Sequence, residues 1–161
     1  MPVFEIKTAR QFLEKLHEEQ ADFERSNFLS SRHAINAAIT AYHLHEWVWA
    51  DFAKPRRSTL WPNKKAFKAH LESTWREFRL AEQLTDGSKH FALGGGGQFG
   101  AQPGDISSTG VHGGSFGPGF SRAIDTSYLW VEVDRTRERA EDIISRFVQL
   151  WDEFFASQRI P

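Results

Sequence analysis

Three polar side chains stand on one line of the long helical segment Asn27–Phe52. Asn36, Thr40 and His43 are spaced four and three residues apart, so on a helix they lie above one another, and Trp47 continues the line. A histidine in such a line can serve as an acid or a base near neutral pH. Buried polar groups are also commonly hydrogen-bonded for purely structural reasons. Asn36 and His43 are therefore candidate catalytic residues, and a structural role for the same line stays open.

A second pair of candidate catalytic residues is Lys89 and His90, directly after the segment Asp86–Ser88. Gly87 is predicted to close a helix in the left-handed conformation, which places the pair at one end of the fold beside a glycine-rich stretch. A lysine and a histidine in that position suit anion recognition or proton transfer. Alternatively, the two side chains only complement the negative end of the preceding helix.

The connector at 54–68 is strongly basic, because no acidic residue stands between Asp51 and Glu72. Basic side chains can bind a phosphate backbone and an aromatic ring among them can stack on a base, although solvated basic loops are also common. The candidate nucleic-acid-binding residues are Lys54, Arg56, Arg57, Trp61, Lys64 and Lys65.

Metal and cofactor motifs are not recognisable in the chain. His43 and His45 are two residues apart and point in nearly opposite directions on a helix, whereas helical zinc ligands stand four residues apart. There is no cysteine, which excludes thiolate ligands and fits a reducing compartment. The run Gly95–Gly100 matches GxGxxG in form, but no βαβ unit surrounds it. The sequence therefore predicts no metal and no cofactor.

Length and charge indicate one cytoplasmic domain spanning 1–161. The 161 residues suit a single core, and a net charge of −1 gives no general attraction to nucleic acid or to anionic membranes. The first residues lack the apolar region of a signal peptide, and no apolar run approaches the roughly 20 residues of a membrane span.

Periodicity predicts four helical segments. The first covers about 8–25 and starts at a capping box, Thr8–Gln11. The second covers about 30–53, is apolar on most sides and ends before Pro55. A third follows Asn63, with a break near 73–75 left open, and the last covers about 135–157.

The stretch between the last two helices differs in composition, since all twelve glycines lie between Gly87 and Gly119. Alternating side chains predict a strand at 126–133, with further strand candidates at 90–93 and 116–124. The residues between them are predicted to form a flexible loop. The expected fold is mainly α: an up-and-down four-helix bundle with a small antiparallel β-hairpin or meander, at about 89–133, inserted before the last helix.

The segment SSRHAINAAITAYHLHEWVWADF at 30–52 resembles the long second helix of HEPN-type helical bundles, with Asn36, Tyr42 and His43 at the comparable places. Many members of that family are bacterial toxin or defence ribonucleases, and many others are non-catalytic partners. Their catalytic signature is an arginine followed a few residues later by a histidine near the end of a later helix. Here the formal match, Arg10 and His17, lies on the first helix instead.

Three functions follow as hypotheses. The favoured one is a bacterial regulatory or stress-defence protein without firm enzymatic activity, homodimeric through surplus aromatics at Trp47, Trp49, Trp151 and Phe155. The alternative is a metal-independent, HEPN-like ribonuclease, in which the lysine–histidine pair promotes attack by a 2′-hydroxyl and the line on the second helix supports it. A further alternative is a module that binds a protein partner through the glycine-rich hairpin loop, with Phe99, Phe116 and Phe120 as anchors.

Overall fold

The computed structural model describes residues 5–55, 61–89, 102–113 and 127–161. Over these ranges the helices are α1 (Ala9–Arg25), α2 (Ser31–Val48), α3 (Lys64–Thr74), α4 (Arg76–Lys89) and α5 (Ala140–Gln158), and the strands are β1 (Ile106–His112), β2 (Tyr128–Val133) and β3 (Thr136–Arg139). The mainly helical class is confirmed, but the four-helix bundle is not. None of the helices in the described ranges combines the length and the apolar character needed to cross a membrane.

Helix α1 starts where the capping pattern predicts. The Thr8 hydroxyl accepts a hydrogen bond from the Gln11 backbone N–H at 3.2 Å, and the Gln11 side chain accepts one from the Lys7 N–H at 2.8 Å. These contacts satisfy backbone donors that have no partner inside the helix. The inner face of α1 buries Leu13, Leu16 and Phe23.

A tight turn joins α1 to α2. Asn27 and Phe28 both have left-handed backbone angles, with φ of 55° and 60°, and the Phe28 N–H donates to the Phe23 carbonyl at 3.0 Å. The Ser30 hydroxyl then accepts from the His33 N–H at 3.3 Å and starts α2. Because the turn is short, α1 packs along α2.

Helix α2 is covered by neighbouring helices on several sides, in agreement with its apolar character, and has one solvent-facing side. Arg32, Ile35 and Glu46 are exposed, because the packing partners α1, α4 and α5 contact the other sides of the helix. The helix continues into the π-helical turn Trp49–Ala53, where the Lys54 N–H donates to the Trp49 carbonyl at 2.8 Å.

The third predicted helix is two helices. Asn63 caps α3 by accepting from the Ala66 N–H at 2.9 Å. Trp75 has an extended backbone, which separates α3 from α4 at the place where a break was left open. Gly87 does not close a helix: it lies inside α4, near whose end the Ser88 hydroxyl donates to the Thr85 carbonyl at 2.7 Å.

The strands form an antiparallel sheet in the order β1–β2–β3. Strand β2 agrees with the predicted alternation, since Leu129, Val131 and Val133 are buried. Strand β1 was predicted to be loop, and β3 occupies residues that were predicted to begin the last helix. The strands expected at 90–93 and 116–124 lie outside the described residues.

Buried Asp105 fastens the start of β1 to α4. One of its carboxylate oxygens accepts from Arg79 and from the Gln83 amide, both at 2.6 Å, and the other accepts from the Gln102 N–H at 3.0 Å. The Gln83 side-chain oxygen in turn accepts from the Ile106 N–H at 2.7 Å. These contacts set the position of β1 relative to the helices.

Helix α5 supplies the largest part of the aromatic core. Trp151 and Phe155 are each 1% exposed, and the Trp151 indole N–H donates to the Ala41 carbonyl of α2 at 2.8 Å. Trp47 stacks on Phe12 of α1, and Trp49 packs on Phe67 of α3. The aromatics that motivated a homodimer are therefore used within the chain's own core, and the homodimer stays a prediction without that support.

Candidate functional site

The polar line on α2 does not converge on one point. Thr40 is buried and accepts a hydrogen bond from Lys15 of α1 at 2.7 Å, and Trp47 is held in its stack against α1. Asn36 and His43 are partly exposed, and the nearest charged partner of His43 is Glu46, with 3.7 Å between Nδ1 and Oε2. Their proposed catalytic role stays a prediction.

The structure does not give the distance of the second candidate pair, Lys89 and His90, from Asn36 and His43. Lys89 is the last residue of α4, and its side chain and all of His90 lie outside the described part of the chain. The ribonuclease alternative depends on this pair and stays a prediction.

The basic connector is less available than its composition indicates. Trp61 packs against Phe67 and Phe154, with ring centroids 5.1 and 6.2 Å apart, and Lys64 forms an ion pair with Glu46. Lys54 and Lys65 are exposed, whereas Arg56 and Arg57 lie outside the described residues. Trp61 is partly buried by these contacts, and the predicted nucleic-acid-binding role of the connector stays a prediction.

A polar cluster joins α2, α3 and α4. Glu82 accepts from the Tyr42 hydroxyl at 3.1 Å and from Lys68 at 2.6 Å, and Lys68 also pairs with Glu72 at 3.1 Å. Burial opposes the charge of Lys68, but hydrogen bonds to the two glutamates outweigh it and raise the pKa of Lys68. Burial and the charge of Glu82 raise the pKa of the Tyr42 hydroxyl. Because both pKa values are raised, Lys68 and Tyr42 stay protonated at neutral pH, which suits holding helices together and not proton transfer.

His45 belongs to the core beside this cluster. It is 2% exposed, its Nδ1–H donates to the Tyr42 carbonyl at 2.5 Å, and its ring meets the Phe78 ring edge-on. Burial lowers the pKa of His45, and the hydrogen bond to the Tyr42 carbonyl acts in the opposite direction. The imidazole is therefore neutral in the folded protein near pH 7.

His45→Gln should reduce the loss of stability on acidification. The folded pKa of His45 is lowered, so below about pH 6.5 the unfolded chain binds a proton that the folded chain does not bind. The free energy of unfolding of the wild type should therefore fall as pH decreases through that region, with a His45 contribution of at most about 1.4 kcal/mol per pH unit. Urea unfolding between pH 7.5 and 5.5 measures this dependence.

The control for this prediction is His43→Gln, since His43 lies on the partly exposed side of the same helix. It should keep the wild-type dependence on pH. If the wild type and His45→Gln showed equal pH dependence of the free energy of unfolding, the contribution attributed to His45 would be contradicted.

An apolar groove lies between the sheet and the starts of α2 and α5. Its volume is about 160 Å³. The main apolar side chains that line it are Ile35, Leu84, Val111, Leu129, Trp130 and Ile144. Because these residues come from α2, α4, β1, β2 and α5, the groove exists only once all of these elements have packed.

The rim of the groove is exposed. Ile35 is 38% and Val111 is 64% exposed, which makes them two of the three large hydrophobic side chains exposed in the described ranges. Strand β1 forms the edge of the sheet here: within the described residues it pairs with β2 on one side only. An apolar rim beside unpaired strand backbone can receive an extended chain.

Gly110→Ala should disturb the wall of the groove. Gly110 of β1 lies directly against the Trp130 indole of β2, and a Cβ at position 110 would overlap the ring. The ring must move or the strands must separate, so we expect a loss of about 1–3 kcal/mol in the free energy of unfolding. Urea unfolding checks this.

Gly113→Ala is the matched control, because among the described residues no heavy atom lies within 4 Å of a Cβ added there. Its effect should be close to zero. Equal effects of the two substitutions would contradict the close approach of Gly110 to Trp130.

Comparison with protein-family models found no match, and the comparisons with curated proteins and with solved structures found no similar protein. The resemblance of α2 to HEPN-type helices therefore stays a prediction.

Proposed function

We propose that this protein is a binding module without catalytic activity, which captures an extended apolar segment of another protein in the groove beside β1. A regulatory or stress-defence role is compatible with such a module. The single observation that carries the proposal is the apolar groove, whose rim residues Ile35 and Val111 are exposed next to β1, an edge strand of the sheet in the described ranges.

The size of the groove supports one side chain as its occupant. A volume of about 160 Å³ is comparable to an engineered cavity of about 150 Å³ that binds benzene. Sites for larger ligands typically occupy about 300–1,000 Å³. The groove thus suits one phenylalanine, leucine or isoleucine side chain of a partner better than it suits a nucleotide or another large cofactor.

The adjacent strand β1 favours a partner segment whose backbone is extended and whose side chain enters the groove. An edge strand can pair its free N–H and C=O groups with an added strand, while a neighbouring pocket takes an alternate side chain of that strand. In the described ranges, the other edge of the sheet, β3, carries charged and polar side chains. Such an edge resists strand addition, which favours β1.

Selection from a random 12-residue peptide library displayed on phage, against the full chain, tests this function. We expect selected peptides to share one large apolar residue flanked by residues with high strand propensity. Fluorescence polarisation with the labelled peptide gives the dissociation constant. Failure to enrich any apolar consensus would overturn the proposal.

Light scattering of the full chain tests whether a second copy of the same chain occupies the groove instead. A monomer at micromolar concentration supports a separate partner. A dimer that is dissociated by Val111→Glu would assign the groove to self-association and overturn the proposal.

A further inference from the structure

We propose a zinc-binding site where α1 meets the start of α2, formed by Glu19, Asp22 and His33. One oxygen of each carboxylate and one ring nitrogen of His33 all lie within 4.8 Å of one another. A histidine nitrogen with two carboxylate oxygens is a donor set that zinc accepts, leaving a fourth position for water. Calcium and magnesium prefer oxygen ligands alone, so this set favours zinc over those two ions.

The local structure brings the three side chains together. Glu19 and Asp22 are three residues apart and therefore neighbours on one face of α1. The turn at 26–30 reverses the chain and places His33 in the first turn of α2, against that face. In a tetrahedral zinc site the ligand atoms stand about 3.4 Å apart, so the side chains must move closer together when the ion binds.

The imidazole of His33 provides an independent indication of a ligand. Its Nδ1 is buried and, in the part of the chain that the structure describes, has no hydrogen-bond partner. Buried polar atoms normally have a partner, and one without a partner calls for an explanation such as an ion. A zinc ion bound to Nδ1 supplies that partner.

Lys15 and Arg25, which now pair with the two carboxylates, compete only weakly with zinc for them. Lys15 pairs with Glu19 at 2.8 Å but also donates to Thr40, so it keeps a partner when it is displaced. The Arg25 side chain, which pairs with Asp22, is 70% exposed and returns to water. Exposed ion pairs contribute about 0–1 kcal/mol each.

Zinc on Nδ1 of His33 requires the proton of the neutral ring to sit on Nε2. Arg32, whose guanidinium lies 3.3 Å from Nε2, is exposed and can turn away, so that Nε2 carries the proton while Nδ1 binds the metal.

Isothermal titration of metal-free protein with zinc chloride tests the site. We expect one zinc per chain, a dissociation constant at least tenfold higher for His33→Gln and for the Glu19→Gln/Asp22→Asn double variant, and no heat with magnesium chloride. The melting temperature measured in zinc should rise for the wild type and stay unchanged for His33→Gln. Circular dichroism confirms that each variant is folded.

His17→Gln is the matched control, because His17 forms another histidine–carboxylate contact, with Asp152 at 2.9 Å, away from the proposed site. Its zinc affinity should equal that of the wild type. Absence of zinc binding to the wild type, or an equal loss in His17→Gln and His33→Gln, would overturn the proposal.

Discussion

Ile35→Glu and Val111→Glu should each weaken binding of the selected peptide by about ten- to a hundredfold. Each substitution places a carboxylate at the rim of an apolar groove, where a bound side chain would strip it of water. A tenfold loss corresponds to about 1.4 kcal/mol. Both side chains are partly solvent-exposed before substitution, 38% and 64%, so the fold should tolerate the change.

Leu29→Glu is the control for this pair. Leu29 is 37% exposed, nearly the same as Ile35, but it does not line the groove. Its affinity for the peptide should stay within about twofold of the wild type. Equal losses for Leu29→Glu and Ile35→Glu would attribute the effect to net charge and not to the groove.

Asp105→Ala should lower the free energy of unfolding by about 2–4 kcal/mol. The side chain is 7% exposed and its removal leaves Arg79, Gln83 and the Gln102 N–H without their acceptor. The Arg79 side chain is 37% exposed, and its access to water keeps the loss below that of a fully buried pair. Urea or thermal unfolding followed by circular dichroism measures the change.

Asp134→Ala provides the comparison for Asp105. Asp134 is exposed and accepts a hydrogen bond from the Gly104 N–H at 2.8 Å, so it contacts the same segment from the solvent side. Asp134 has a left-handed backbone (φ 51°), which alanine adopts less readily than aspartate, so we expect a loss of about 1 kcal/mol, below that of Asp105→Ala. A larger loss for Asp134→Ala than for Asp105→Ala would contradict the role assigned to the buried carboxylate.

Local signals in the sequence predicted the helix starts well. The Thr8 and Asn63 side chains accept hydrogen bonds from the backbone of the first helical turn, and such contacts depend only on residues that are close in sequence. Strand β2 was predicted because apolar residues alternate along it, and these are the residues that are buried. Gly87 shows the limit of local signals, since α4 continues through it to Lys89.

Features that need two distant segments could not be predicted in this way. Strand β1 contains small polar residues and Gly110, and it is a strand because it pairs with β2 and is anchored through Asp105. The groove needs five elements, and the cluster around His33 needs the α1–α2 turn. The side of α2 that stays exposed could not be predicted, because apolar residues alone do not show which side lacks a packing partner.

Amide hydrogen exchange of β1, with and without saturating selected peptide, tests strand addition at the groove most directly. We predict that the amides of Ile106–His112 exchange more slowly in the complex, while those of α3, remote from the groove, keep their rates. Unchanged rates across β1 in the presence of bound peptide would contradict the account.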